Sequence, residues 1–259
     1  MDILNKGNHQ VRIDQGELVG YTFYGLELIH QKGQPGWSHS DTEMFPVIGP
    51  TAETAYRVQV SKGNAIQDQH GLLRELSYEP MEISGNAASY RKTYTAGTIV
   101  KNSKYPDRSP IQYLMWPYSF DFTKQFELND EGLSISFKLT GDLDMPYMLG
   151  YHPAFNLVTD EPLLQAGALE IRLDEVMDAG SKALEVPGSS EIILHDQCKV
   201  HIKTQGFDNF MLWTEVPNMI CIEPVTYYPY TKPQQFLHEG FDYLGRGGKT
   251  YSVDITPEK

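Results

Sequence analysis

The stretch Phe122-Thr123-Lys124-Gln125-Phe126-Glu127-Leu128, followed by Asn129-Asp130-Glu131-Gly132 and then Leu133-Ser134-Ile135-Ser136-Phe137-Lys138-Leu139, decides the fold class. Leu133, Ile135, Phe137 and Leu139 alternate strictly with polar residues, the period of a strand with one buried face. The polar, Gly-ended link predicts a hairpin loop between two antiparallel strands. The same texture extends in both directions. Leu18 to Tyr24 and Leu26 to His30 are rich in strand formers and are broken by Gly25. Further strands are expected at Leu169 to Leu173, Val200 to Lys203, Phe210 to Thr214, Met219 to Ile222 and Thr250 to Ile255, separated by Pro and Gly. Helical periodicity is scarce; a short helix has room at, for example, Asp160 to Ala168, but the pattern does not call for one there. Many short strands with turn signals predict an all-β sandwich or barrel.

The 259 residues suit one β domain of this kind, and 1–259 is expected to form a single unit. Hydrophobic residues make up 40% and charged residues 21%, which places the chain among globular proteins. A net charge of −13, with no Lys/Arg-rich run, repels nucleic acid and anionic lipid, so neither is an expected partner. That charge says little about a small substrate, because one local arginine outweighs distant, screened carboxylates. The two cysteines, Cys198 and Cys221, are too few for a disulfide scaffold. No signal peptide or membrane-spanning run is visible, and a cytoplasmic location is expected. Either a monomer or a homodimer is compatible with these features.

Three places set polar groups into otherwise structural sequence: Asp68-Gln69-His70-Gly71-Leu72-Leu73-Arg74, Gly150-Tyr151-His152-Pro153-Ala154-Phe155 and Cys221-Ile222-Glu223-Pro224. Strand propensity disfavours Glu, yet Glu223 ends an apolar run where strand ends face clefts. Its alternative is a surface carboxylate. His152 precedes a proline, which holds its backbone extended, and Tyr151 and Phe155 supply faces that pack on sugar C–H groups. Gly71 permits a tight turn after His70, and Arg74 can fork two hydrogen bonds to hydroxyls or a carboxylate. Read alone, His152 fits a satisfied core or loop histidine better, and His70 with Arg74 fits a surface turn with an arginine ion pair better. There is no His-x-His, Cys-x-x-Cys, P-loop, dinucleotide fingerprint or Gly-x-Ser-x-Gly elbow, and no metal or cofactor is expected. Cys221, in its strand, reads as a buried structural thiol. The loop Ala96 to Pro110, carrying Lys101, Lys104 and Arg108, has either a covering role or only a connecting one. Tyr227, Tyr228 and Tyr230 form either an exposed patch for protein contacts or a wall of a groove.

Taken together, these segments resemble the aldose 1-epimerase (galactose mutarotase-like) family, in a short, divergent form. Phe45-Pro46-Val47-Ile48-Gly49 is similar to the family's Phe-Pro-x-Ile-Gly, His70 to Arg74 to its His-Gly-x-x-Arg, and Gly150 to Phe155 to its Gly-aromatic-His-Pro-x-Phe. Phe207-Asp208-Asn209-Phe210, followed by Met219 to Pro224, resembles its strand ending in Glu-Pro. The likeness runs through residues 15 to 255.

The resemblance implies a galactose mutarotase-like supersandwich of large, mainly antiparallel sheets with a sugar in an open groove. It implies anomer interconversion of a hexose by acid–base ring opening, with Glu223 as base, His152 as acid, His70 and Arg74 binding the sugar, and Asp208 binding ring hydroxyls. Longer members carry a Gly-Arg-x-x-Asn-Arg stretch where this chain reads Gly49-Pro50-Thr51-Ala52-Glu53-Thr54, so that arginine is absent; Arg74 or Arg57 are its candidate replacements. A hexose-6-phosphate 1-epimerase, with Arg74, Lys101, Lys104 and Arg108 near the phosphate, and a non-catalytic carbohydrate-binding protein are the alternatives.

Overall fold

A computed structural model describes residues 1–259. The hairpin forms as the alternation predicts: strands Phe120–Leu128 and Leu133–Gly141 pair antiparallel, with Leu128 opposite Leu133. Asn129 closes the link, its Oδ1 accepting hydrogen bonds from the Glu131 and Gly132 amides at 2.8 and 2.9 Å. Leu133, Ile135, Phe137 and Leu139 are all buried.

This hairpin lies within a nine-stranded sheet. On one side of it Lys249–Glu258 and Lys199–Gln205 continue the sheet; on the other lie Ala87–Tyr94 and the edge strand Glu79–Ile83. A six-stranded sheet runs in the order Leu184–Pro187, Asn209–Trp213, Met219–Val225, Gly150–His152 and Thr42–Met44, with Ala154–Asn156 also paired to Met219–Val225. A four-stranded sheet holds the first 27 residues. The pairs of named strands are antiparallel throughout, and one hydrophobic core of 61 buried residues joins the layers. The architecture is a sandwich of large antiparallel sheets, as the strand pattern predicts.

The segment with room for a helix, Asp160 to Ala168, instead contributes the strand Leu163–Ala166 of a hairpin. Leu164 is buried there, and Gly167, with a φ of +58°, makes the tight turn into the paired strand Leu169–Arg172. The α-helix lies just beyond it, at Leu173–Asp178.

The pleat also faces one lysine inward. Lys124 shares its side of the strand with Phe122 and Phe126 and is fully buried. Its Nζ sits 2.6 Å from Asp41 Oδ2 and 2.8 Å from Glu43 Oε1. Burial works against this ammonium, but Asp41 and Glu43 together outweigh it and raise its pKa. Burial likewise opposes the Glu43 carboxylate, and Lys124 and Lys92 outweigh that and hold its pKa below the usual range. The Tyr151 hydroxyl donates to Asp41 Oδ2 at 2.6 Å, and Lys92 Nζ donates to the Leu73 carbonyl at 3.0 Å. The cluster therefore ties together the segments that carry His152 and Arg74.

Candidate active site

Two prolines shape the centre of the six-stranded sheet. Pro153 and Pro224 lack the N–H that a ladder needs, so the pairing of Gly150 to Asn156 with Met219–Val225 breaks into two short pieces. The register that pairs Gly150 with Val225 and Ala154 with Cys221 puts His152 opposite Glu223 at the gap. Neighbouring side chains on one face are held together this way. His152 Nε2 stands 3.0 Å from Glu223 Oε1. The contact is a close approach rather than an aligned hydrogen bond, and Nε2 has no hydrogen-bond partner in the protein. Glu223 is 2% exposed, and His152 is its sole ion-pair partner.

Both side chains line a groove of about 500 Å³. His70 reaches it from the turn after Asp68, where its backbone takes a φ of +75°. Gly71 follows with a φ of +70°, and a Cβ there would land on the Phe45 carbonyl. Gly71→Ala is therefore expected to cost about 1–3 kcal/mol, the scale of a strained backbone residue. Urea unfolding measures that loss; a variant of unchanged stability would show that the turn is not constrained.

The His70 ring stands 5.4 Å from that of His152, and its Nδ1 is 3.1 Å from the Ile48 carbonyl oxygen. A carbonyl only accepts, so Nδ1 carries the hydrogen. Burial, with Arg74 and His152 beside it, pushes the His70 pKa well below the usual histidine range, and the ring is neutral at pH 7. Nε2 is then a lone-pair acceptor, suited to a hydroxyl donor.

Trp37 lies edge-on to His152 at 5.2 Å, and Trp213 at 6.4 Å. Both line the groove, as does His39. Burial, reinforced by Arg74 and Arg108, pulls the His39 pKa down to about 4. In the unfolded chain both His39 and His70 titrate near 6.5. The unfolded state thus binds more protons below that value, and the fold loses stability as pH falls from about 6.5 toward 4. Urea midpoints are expected to drop across this range, and to drop less steeply in His39→Gln. An identical slope in that variant would contradict the assignment.

Of the two residues considered for the absent arginine, Arg74 lines the groove, while Arg57 stands exposed on the strand Arg57–Val60 outside it. Lys104 and Arg108 also line it, so the Ala96 to Pro110 loop does cover the site; Lys101 does not reach it. Asp68 holds Lys104 at 3.5 Å, whereas Arg74 and Arg108 make no ion pair. Tyr230 lines the groove and donates to the Ser181 carbonyl at 3.3 Å, so it belongs to a wall; Tyr227 and Tyr228 pack against the core and do not line the groove, and Tyr228 donates to the Ala183 carbonyl at 3.3 Å.

Asp208 is not brought to the groove. Along Asn209–Trp213, Met211 and Trp213 face the groove, while Phe210 and Leu212 face the core. Asp208 falls on the other parity, just before the strand, and is exposed near Asp242 and Tyr251. Sequence reasoning also passed over Trp37, His39 and Trp213. Their one signal is composition: two of the three tryptophans of the chain meet in one groove.

The groove of this antiparallel sandwich thus holds a carboxylate and an imidazole in contact, with a neutral imidazole beside them, an arrangement that can exchange protons. The sequence profile of the aldose 1-epimerase family matches residues 53–211, more than half of the chain, and the chain belongs to that family. Among solved structures, a galactose mutarotase-like protein from Lactobacillus casei ATCC 334 superposes with a TM-score of 0.79 at 17% identity, covering 99% of both chains. A galactose mutarotase related enzyme from Lactobacillus acidophilus gives 0.77 at 16% identity, covering 100% of this chain and 98% of that one. At such identities these likenesses speak for the fold alone. The protein LacX of Lactococcus lactis subsp. lactis, plasmid form, is 26% identical over 138 residues, 51% of this chain and 42% of that protein. The match thus spans less than half the length of this curated relative. No helix of the protein is long and apolar enough to cross a membrane.

Proposed function

We propose that the chain is an aldose 1-epimerase, a cofactor-independent isomerase that interconverts the α and β anomers of a hexose. The observation that carries this reading is the His152–Glu223 contact in the groove. The two oxygens that exchange protons in mutarotation are bonded to the same carbon, C1. An acid and a base that serve them must stand side by side, as these two do.

Glu223 takes the proton from the C1 hydroxyl, and His152 as imidazolium gives a proton to the ring oxygen. The C1–O5 bond breaks and the aldehyde forms. After rotation about C1–C2, the ring hydroxyl returns its proton to His152 and attacks the other face of C1, while protonated Glu223 returns its proton to O1. Every proton is restored, and each partner supplies on the order of 10²–10⁴ in rate. Neutral His70 accepts from a sugar hydroxyl through Nε2, and Trp37 and Trp213 offer faces to ring C–H groups.

One feature favours a second reading, a hexose-6-phosphate 1-epimerase. Within a chain of net charge −13, Arg74, Lys104 and Arg108 converge on one groove, and the two arginines are free of ion pairs. Such guanidinium groups suit a phosphate.

Magnetisation transfer between anomeric protons, measured for D-glucose, D-galactose and their 6-phosphates with and without protein, separates the readings. Acceleration on free sugars supports the first, and acceleration confined to the phosphates supports the second. Sugar binding with no acceleration on any of them would replace both by a carbohydrate-binding role.

A further inference from the structure

The proposed base shares its wall of the groove with a thiol. Cys221 precedes Glu223 by two residues on Met219–Val225, so the pleat sets both on one face. It is fully buried and packs with Trp37 and Ala154. His152, Cys221 and Glu223 each offer one donor atom, and the three atoms lie within 4.8 Å of one another. No step of anomer exchange uses the sulfur.

We propose that His152, Cys221 and Glu223 form a binding site for a thiophilic divalent cation, Zn²⁺ being the type, and that its occupancy blocks anomer exchange. The set of one imidazole nitrogen, one thiolate and one carboxylate suits zinc, whereas hard Mg²⁺ or Ca²⁺ asks for oxygen ligands alone. Zinc bonds of about 2.0–2.3 Å set tetrahedral neighbours roughly 3.3–3.7 Å apart. The nitrogen and carboxylate oxygen, at 3.0 Å, are already within reach of that spacing, and the sulfur requires a side-chain adjustment of about an ångström or less. His152 Nε2 has no hydrogen-bond partner that a metal would have to displace.

Charge balances as well. The Cys221 S–H proton leaves to solvent as the S–metal bond forms, and nothing is oxidised or reduced. A neutral imidazole, a thiolate, a carboxylate and a divalent cation sum to zero, the state that burial favours. The cation would hold the lone pairs of the very groups that handle the substrate protons. The inhibitory half of this inference rests on the proposed acid–base function; the binding half does not.

Titration of the full chain with Co²⁺ is the test. The expected result is a near-ultraviolet thiolate-to-cobalt band that Zn²⁺ abolishes by displacement, that survives in Cys198→Ala and that is absent in Cys221→Ala. Cys221→Ala is expected to retain basal anomer exchange and to need ~10-fold or more zinc for the same inhibition. No band in the wild type, or a band that persists without Cys221, overturns the site. If Cys221→Ala does not fold, as judged by near-ultraviolet circular dichroism, Glu223→Gln takes its place: cobalt affinity reduced ~10-fold or more supports the site, and unchanged affinity overturns it. A wild type that binds cobalt through Cys221 but shows no anomer exchange refutes the proposed function while leaving the metal site standing.

Discussion

Glu223→Gln is expected to lower kcat for anomer exchange by about 10²–10⁴ while the fold persists. The amide keeps the size and shape of the carboxylate but cannot take the C1 hydroxyl proton. Glu223 lies beside His152 and makes no other ion pair, so its replacement breaks no structural network. Removing a buried carboxylate that burial itself disfavours should leave stability close to that of the wild type. Kinetics and urea unfolding on the same preparation separate the two effects. A variant that lost activity only in proportion to lost folded protein would show a structural role for Glu223, not a chemical one.

The second large effect lies behind the site. Lys124→Met is expected to destabilise the protein by about 3–5 kcal/mol, because it leaves buried carboxylates without their nearest cation. Asp41 and Glu43 stand 2.6 and 2.8 Å from Lys124 Nζ, and Lys92 reaches Glu43 only at 3.9 Å. Methionine fills the space of the stem but pairs with neither acid. Adding Asp41→Asn to Lys124→Met should recover part of the loss, since one orphan charge is gone. Urea unfolding followed by tryptophan fluorescence reads all three proteins. A loss below about 1 kcal/mol in Lys124→Met would mean that water or a protonated acid relieves the cluster. The same cluster anchors Tyr151, next to His152, and the Leu73 carbonyl, next to Arg74. Partial loosening is therefore expected to raise KM before it abolishes folding.

Much of the fold was legible because a strand writes itself into adjacent residues. The alternation at Leu133 to Leu139 and the Gly-ended link named the hairpin, and Met219 to Ile222 and Thr250 to Ile255 fell inside observed strands. Lys124 shows the limit. Its place in the alternation puts it on the apolar face, yet its partners Asp41 and Glu43 are some eighty residues away, and nothing local announces them. The site divides in the same way. Glu223, His152, His70 and Arg74 stood out as polar groups in structural sequence, but only the family resemblance made site candidates of them, and all four line the groove. Trp37, His39 and Trp213 sit in ordinary surroundings and reach the groove only through the packing of distant segments. Asp208 was carried over from the family pattern, and strand parity directs it elsewhere.

The pairing of Glu223 and His152 as the acid–base couple is the central claim, and the relaxation of optical rotation of freshly dissolved α-D-glucose and α-D-galactose tests it most directly. With wild-type protein, at least one sugar is predicted to relax faster than in buffer, and Glu223→Gln and His152→Gln are each predicted to return the rate close to that of buffer. Undiminished acceleration by either variant would contradict the account.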